Sequence, residues 1–473
     1  MRCVTQLTTT RAPRPGIVLA VVCTGVVLSS LDLFIVNVAL PQISRGFHGA
    51  SLSDLSWVLN AYAVVFASLL VPAGRLADRA GRRGGFLIGV AIFTLSSAAC
   101  AAANSVALLV GFRIVQAAGA ALLIPTSLGL VLAAYPPERR AGAVRIWTAT
   151  SGLAAAAGPV LGGLLVQASW RWVFIVNVPI GIAAVVAGRR VLPRPPAERG
   201  PLPDLFGAAL LTAGVGALSL GLVKANDWGW ASSRIVGALA GAAIALALFV
   251  LRSARHRSPI VELSLLRERG YAVTLIAAVL FSTAFGAMLL SIVLWLQEDW
   301  HWSALQAGLA VFPGPLLVPG LSILSGRLSP RFTPGMVIAA GCTLFAGGTL
   351  WWHEGVKLRP DYLEGVLPGM LLTGAGVGLA LPTLFAAASA SLPAARFATG
   401  SAVINMARQV GFVIGVAVLV AILGAPATAG GRLAAFEHGW AAISAISLAA
   451  GLAALSLGLS PSWMRRSVFR IPN

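Results

Sequence analysis

Apolar runs long enough to cross a membrane recur along the whole chain, separated by short segments rich in arginine and proline. A spanning helix needs about 20 mostly apolar residues to cross the hydrocarbon core of a bilayer, and about fourteen runs meet that length. The predicted helices cover residues 16–40, 56–77, 83–103, 106–132, 141–166, 172–191, 204–223, 234–251, 271–297, 304–328, 333–352, 364–390, 397–424 and 440–461. The pattern therefore predicts an all-α polytopic membrane protein.

The spacing of these helices groups them as six, two and six. We expect an N-terminal six-helix bundle at 1–191 and a C-terminal six-helix bundle with a basic tail at 271–473. Residues 192–270 would hold a Pro-rich cytoplasmic linker, two inserted helices and a basic cytoplasmic loop. A faint repeat supports duplication, because Gly74-Arg75-Leu76 after the second predicted helix recurs as Gly326-Arg327-Leu328 after the tenth. Paired bundles of this kind are a common scaffold for alternating access around a site near the bilayer midplane.

Composition agrees with a membrane protein and excludes a water-soluble one. Hydrophobic residues make up 58% of the chain and charged residues 10%, with a mean hydropathy of +0.88, whereas soluble domains contain about 25% charged residues. A net charge of +19 would suggest nucleic acid as a partner of a soluble protein. Here the arginines concentrate in alternate loops, as the positive-inside rule requires. We therefore expect no nucleic-acid partner, a place in the cytoplasmic (inner) membrane, and both termini in the cytoplasm.

Two further features of the sequence exclude other interpretations. The four cysteines show no disulfide or metal-ligand spacing, so no metal site is expected. Arg2, Arg11 and Arg14 precede the first apolar run like the charged start of a signal peptide, but the run is too long and has no small-residue cleavage site. It should remain in the protein as the first helix.

Charged side chains within the apolar runs are candidates for function, because each costs about 2.5–3.5 kcal/mol to insert at the membrane centre. They are Asp32, Arg113 and Arg408. A cavity carboxylate beside a movable arginine can change its proton affinity as a bundle moves, so Asp32 is a candidate for titration. The competing interpretation is a carboxylate held in a structural ion pair, and for Arg113 a side chain that extends to the membrane interface.

Polar residues near these charges are candidates for the substrate path. Asn37 lies one to two turns after Asp32, and Gln116 lies one turn after Arg113. Asn405, Arg408 and Gln409 form a polar face on the thirteenth predicted helix. For this last face a structural role and a role in the substrate path are equally open.

The fifth predicted helix and the loop after the second helix have their own patterns. The fifth helix contains Gly152, Gly158, Pro159, Gly162 and Gly163, which indicate close helix contact and a bend where proline removes one backbone hydrogen bond. The loop from Gly74 to Arg83 alternates charges between two helices. Taken alone, it could be only a basic loop that sets topology.

Together these motifs resemble the major facilitator superfamily, and specifically its fourteen-spanner drug:proton antiporters of the EmrB/QacA type. The resemblance covers nearly the whole chain. The matching segments are Leu31 to Pro41, Gly74 to Arg83, Arg113 with Gln116 and Gly119, the glycines and proline of the fifth helix, and Trp170 to Gly181. Phe34 stands where threonine is commoner, and Ala117 and Ala118 stand where glycine is often found.

The resemblance implies roles for these residues. Asp32 and Arg113 would exchange protons, and Gly152, Gly158, Pro159, Gly162 and Gly163 would form a hinge. The residues of the conformational latch would be Gly74, Asp78, Arg79, Gly81, Arg82 and Arg83. The protein would then be a secondary transporter that exports lipophilic drugs or other small amphipathic compounds in exchange for protons.

Alternatives of other classes are weaker or remain open. No phosphate loop is present, because Lys224 and Lys357 are not followed by Ser or Thr, so we expect a proton gradient rather than ATP or a cofactor to drive transport. No catalytic motif is present, so we do not expect an enzyme. An importer, or an exporter of an endogenous metabolite or lipid, remains open. Asp32 could neutralise one charge of a monocationic substrate. Membrane lipids are expected neighbours, and the sequence leaves a periplasmic adaptor open.

Overall fold

The computed structural model describes residues 15–47, 50–194, 201–328, 332–392 and 396–459. Within these ranges the chain is helical and contains no strand, and 14 helices are long and apolar enough to cross a membrane. They are α1 Pro15–Gly46, α2 Leu52–Ala80, α3 Arg82–Ala102, α4 Val106–Ala134, α5 Pro137–Val166, α6 Trp172–Val191, α7 Leu205–Val223, α8 Ser233–Arg255, α9 Arg269–Asp299, α10 Ala304–Gly326, α11 Pro334–Gly355, α12 Tyr362–Ala390, α13 Thr399–Leu423 and α14 Ala429–Leu455. The predicted all-α fold with fourteen spanning helices is confirmed.

The largest difference from the predicted boundaries is at the start of α14. We expected this helix from residue 440, but it begins at Ala429, and Thr428 caps it by accepting a hydrogen bond from the Gly431 backbone N–H at 3.1 Å. Its first turns contain Arg432, Glu437 and His438. Their polarity resembles that of a loop, while the backbone continues as a helix beyond the apolar run.

Helix packing repeats between the two halves of the chain. In the first half, α3 packs on α4, α1 on α5, α2 on α4, and α3 on α6. In the second half, α11 packs on α12, α9 on α13, α10 on α12, and α11 on α14. If α1–α6 are matched in order with α9–α14, each of these helix pairs in the first half corresponds to one of the pairs in the second half. This correspondence supports duplication of a six-helix unit, while the domain boundaries at 192 and 271 stay predictions.

The two halves meet along two equivalent seams. At one seam α2 packs on α13, and at the other α5 packs on α10. The inserted helices α7 and α8 pack on each other, and α7 also contacts α2 and α13. The inserted pair therefore covers the α2–α13 seam.

Polar contacts fasten the predicted outer end of this inserted pair. The Lys224 ammonium donates to Asp54 at 2.7 Å and to Asp227 at 2.9 Å, and the Asn226 amide donates to the Ala421 carbonyl at 2.7 Å. Burial opposes the charge of Lys224, but the two carboxylates outweigh it and raise the pKa of Lys224. The pKa of Asp227 is lowered mainly by the hydrogen bond that it accepts from Lys224 and secondly by the one that it accepts from Ser53. The connection between α7 and α8 is thus joined to both halves.

Glycines bring α5 and α10 into close contact near the predicted outer end. A Cβ added at Gly163 would meet the Ala304 carbonyl and would lie 2.6 Å from Leu305 Cα, and one added at Gly308 would meet the Pro159 carbonyl. The two halves of the molecule are therefore joined along this seam by backbone contacts near the predicted outer end.

Candidate functional site

Asp32 lies at the centre of a buried polar network within the first six helices. One oxygen of its carboxylate accepts from the Arg113 guanidinium, and the other accepts from the Gln116 amide at 2.9 Å and the Asn177 amide at 3.3 Å. Ser97 Oγ accepts from Gln116 at 2.7 Å. These side chains come from α1, α3, α4 and α6, and each is 0% exposed. The network thus ties four helices together around a single carboxylate.

The arginine of this pair has further partners. Arg113 Nε donates to the Val58 carbonyl at 3.1 Å, and Nη1 also donates to Gln116 Oε1 at 2.6 Å. The guanidinium carbon lies 4.1 Å from the centre of the Tyr62 ring and 5.8 Å from that of Phe174. Arg113 therefore points into the bundle instead of extending to the membrane interface.

The geometry brings together the two residues expected to exchange protons. A proton on Asp32 would neutralise the carboxylate and remove the attraction that holds Arg113, while Gln116, Val58 and Tyr62 would remain to hold the cation. The arrangement can therefore convert protonation into a change of contacts between α1 and α4.

Sequence reasoning missed Asn177, Ser97 and Tyr62 as members of this network. Asn177 lies in the segment Trp170 to Gly181 that carries the family resemblance, and an amide within an apolar run was the signal that could have identified it. Ser97 and Tyr62 gave no such signal, because serines and aromatic residues are common in membrane helices. Their place depends on how α2 and α3 are rotated against α4.

The residues expected to line a substrate path are not brought into one cluster. Gln116 belongs to the Asp32 network. Asn37 is 0% exposed, and no described residue forms a hydrogen bond with its amide nitrogen or amide oxygen. On α13, Asn405 donates to the Ser401 carbonyl of its own helix at 3.0 Å, while Arg408 Nε and Gln409 Nε2 are buried without a partner in the described part of the chain. The candidates thus fall into two groups, one in each half of the molecule.

The expected latch residues lie where α2, α3, α4 and α6 meet. Arg82 Nε donates to Asp78 at 2.6 Å, and the Arg82 side chain packs against Gly129 of α4. Gly81 has a φ of 107°, in a region that favours glycine. The Arg83 guanidinium donates a hydrogen bond to the Arg189 carbonyl at the end of α6.

Two more predicted latch residues and one unpredicted neighbour belong to the same region. Gly74 lies against Pro125, which a Cβ would approach to 3.1 Å, and Arg79 is exposed. Arg75, which was not among the predicted latch residues, donates to Ser258 Oγ at 2.6 Å and to the Pro259 carbonyl at 2.9 Å. The end of α2 is therefore also joined to the segment that follows the inserted helices.

The glycines of α5 divide into two groups. A Cβ at Gly158 would lie 2.6 Å from Phe34 Cβ, and one at Gly162 would lie 2.9 Å from Ile35, so both glycines allow α5 to approach α1. Gly163 allows the contact with α10, and Pro159 lies inside the helix between these contacts. Gly152 is exposed with open space around it. The structure thus places Gly152 apart from the close contacts of the other glycines.

Candidate metal ligands do not gather in this region or elsewhere. Within the described ranges, no group of three or more His, Cys, Asp or Glu side chains is placed to hold a metal ion.

Comparison with known proteins identifies the family. The sequence model of the Major Facilitator Superfamily matches residues 22–416, and the chain belongs to that superfamily. Among its relatives, the tetracenomycin C resistance and export protein of Streptomyces glaucescens is 36% identical over 86% of this chain and 75% of its own length. The methylenomycin A resistance protein of Streptomyces coelicolor is 32% identical over 94% of this chain and 91% of its own length.

Solved structures show the same fold at low identity. A peptide transporter POT in complex with sulfate gives a TM-score of 0.66 at 20% identity over 94% of each chain. A bacterial homologue of the human lysosomal transporter Spinster also gives 0.66, at 15% identity over 94% of this chain and 97% of its own. The protein is thus a multi-pass membrane transporter of the major facilitator fold, related to drug and antibiotic resistance exporters.

Proposed function

We propose that the protein is a secondary active transporter that exports lipophilic small molecules across the cytoplasmic membrane in exchange for protons by alternating access. The observation that carries the proposal is the fully buried Asp32–Arg113 pair, because this ion pair joins two spanning helices and a proton taken up by the carboxylate would break it. Transport would need no cofactor, since the proton gradient supplies the energy.

The relatives support export and suggest the kind of cargo. Their names state resistance to, or export of, tetracenomycin C and methylenomycin A, and a further relative is named as a probable actinorhodin transporter. Another, from Mycobacterium tuberculosis, is named as a multidrug resistance protein. We propose lipophilic drugs or antibiotics as substrates of this chain, with an endogenous metabolite as the second candidate because several relatives are named for one compound.

The conformation fits one stage of an export cycle. With the N-terminus in the cytoplasm, as the arginine distribution predicts, the tight contacts between α5 and α10 lie at the outer end. A substrate would enter from the cytoplasm or the inner leaflet while these contacts are closed. Release outside would require the Gly163–Ala304 and Gly308–Pro159 contacts to open.

A growth-inhibition panel of lipophilic compounds tests the proposal. Strains that lack or overproduce the protein would be compared with and without a protonophore. We expect overproduction to raise the inhibitory concentration of at least one compound, and the protonophore to remove that protection. Protection that survives collapse of the proton gradient, or an absence of protection across compounds related to those of the relatives, would contradict the proposal.

A further inference from the structure

The charges deep within the spanning helices do not balance. Asp32 and Arg113 neutralise each other, and the Asp32 carboxylate already accepts hydrogen bonds from three side chains. Arg408 lies near the middle of α13 and forms no ion pair with any residue that the structure describes. An uncompensated cation at this depth is costly unless something else supplies a partner.

The surroundings of Arg408 offer donors and an aromatic ring. Among the residues that the structure describes, its Nε is buried without a hydrogen-bond partner, and so is Nε2 of the neighbouring Gln409, a side chain that is 4% exposed. The guanidinium carbon lies 5.8 Å from the centre of the Phe385 ring of α12. Arg408 as a whole residue is partly exposed. The site therefore presents two unused N–H donors and a positive charge beside an apolar surface.

We propose that Arg408 and Gln409 form the binding site for the anionic group of a lipophilic organic anion, either a carboxylate or an ionised phenol. Guanidinium and amide donors complement such oxygen acceptors, and charge-assisted hydrogen bonds to them are about twice as strong as neutral ones. Phe385 would contact the apolar body of the ligand. This inference rests on the proposed export function and names its substrate class.

A cationic substrate fits the same interior poorly. The carboxylate expected to neutralise it, Asp32, is 0% exposed and engaged with Arg113, while Arg408 would repel a second positive charge. An anion bound at Arg408 and the monocation that the sequence suggested for Asp32 therefore predict opposite charge preferences of the transporter.

Equilibrium binding of three matched fluorescent probes to the purified full-length protein tests the inference. The probes are pyrenebutyrate, its methyl ester and pyrenebutyl-trimethylammonium, which share a ring and chain but carry a negative charge, no charge and a positive charge at neutral pH. A neutral detergent without anionic lipid avoids competition from headgroups. We expect pyrenebutyrate to bind about tenfold tighter than either other probe, a factor within the reach of one charge-assisted hydrogen bond.

Variants assign the preference to the site. Arg408→Gln should remove the advantage of pyrenebutyrate and leave ester binding unchanged, Arg408→Lys should keep part of it, and Gln409→Leu should weaken it. Arg359→Gln, which removes an exposed arginine from a loop, is the matched control and should change nothing. If Arg408→Gln does not fold, the order of probe affinities for the unmodified protein and for Arg408→Lys tests the inference instead.

Equal binding of all probes, tighter binding of the cation, or an anion preference that persists in Arg408→Gln would overturn the inference. Binding in detergent requires no proton gradient, so such a result would leave proton-coupled export untouched. Conversely, failure of the growth panel would reject export without changing the probe ranking.

Discussion

The Asp32–Arg113 pair shows how one buried carboxylate can serve structure and function together. Both side chains are fully buried, so neither can lose its partner without leaving a charge in surroundings of low dielectric constant. The amides of Gln116 and Asn177 both donate to the carboxylate oxygen that does not bind Arg113. The sequence left open whether Asp32 belongs to a structural ion pair or to a titrating site. Both interpretations therefore concern the same carboxylate and its bond to Arg113.

At the residue scale we predict that Asp32→Asn lowers stability and that a second change restores it. Breaking a buried pair costs about 3–5 kcal/mol because the remaining charge is uncompensated. Asp32→Asn should thus lower the melting temperature of the purified protein by roughly 3–5 °C, without preventing insertion. Asp32→Asn with Arg113→Gln should recover most of the loss, while remaining uncoupled. A double variant as unstable as the single one would show that the pair does not act as a unit.

Among the elements, α5 connects the Asp32 region to the opposite half of the molecule. Gly158 and Gly162 place it against α1 close to Asp32, and Gly163 places it against α10. Pro159 lies between these contacts and has no backbone N–H to donate. We therefore expect α5 to bend most easily where α1 and α10 both touch it. A movement of α1 on protonation would therefore reach the seam between the halves directly through α5.

At the element scale we predict that Gly158→Leu stops transport. The new Cβ would lie 2.6 Å from Phe34 Cβ, closer than real Cβ contacts, so α5 and α1 must separate. Gly142→Leu is the matched control on the same helix, because nothing lies within 4 Å of a Cβ at that position. Uptake of substrate into inverted vesicles, which corresponds to export from the cell, should be lost in the first variant and retained in the second. Normal efflux by Gly158→Leu would remove the basis for a hinge at this contact.

Sequence patterns predicted the helices better than their contacts. Hydropathy identified all the spanning helices because each must be apolar over its length, but it missed the first turns of α14, where Arg432, Glu437 and His438 continue the helix. Charge within apolar runs identified Asp32 and Arg113. It could not identify Tyr62 or Ser97, because their proximity depends on helix rotation. The separation of Gly152 from the other glycines of α5 likewise required the packing of neighbouring helices.

On the scale of the whole molecule, the two seams are equivalent in packing but differ in what covers them. The inserted pair closes over α2 and α13 and is joined to both halves through Lys224 and Asn226. No described helix covers the α5–α10 seam in the same way. The α5–α10 seam is therefore the less covered of the two, and we expect lipophilic substrates to enter there.

The charge of the substrate sets how the membrane potential acts on the complete cycle. Exchange of a monoanion for one proton moves two charges in the direction favoured by an interior-negative potential, each contributing about 2.3 kcal/mol per 100 mV. Exchange of a monocation for one proton moves no net charge. Efflux of pyrenebutyrate from proteoliposomes, with pH gradient and potential set separately by nigericin and valinomycin, should therefore increase with potential at a fixed pH gradient. Indifference to the potential would contradict exchange of an anion for a proton.

The central claim is that the protein exports its substrate in exchange for protons that bind to Asp32. Proton movement in proteoliposomes tests this claim most directly. The unmodified protein and Asp32→Asn would be reconstituted with an internal pH dye and given a gradient of the compound most affected in the growth panel. We predict that the compound drives proton movement through the unmodified protein and none through Asp32→Asn, even though the variant still binds the compound. Proton movement by Asp32→Asn at the rate of the unmodified protein, or export without proton movement by the unmodified protein, would contradict the account.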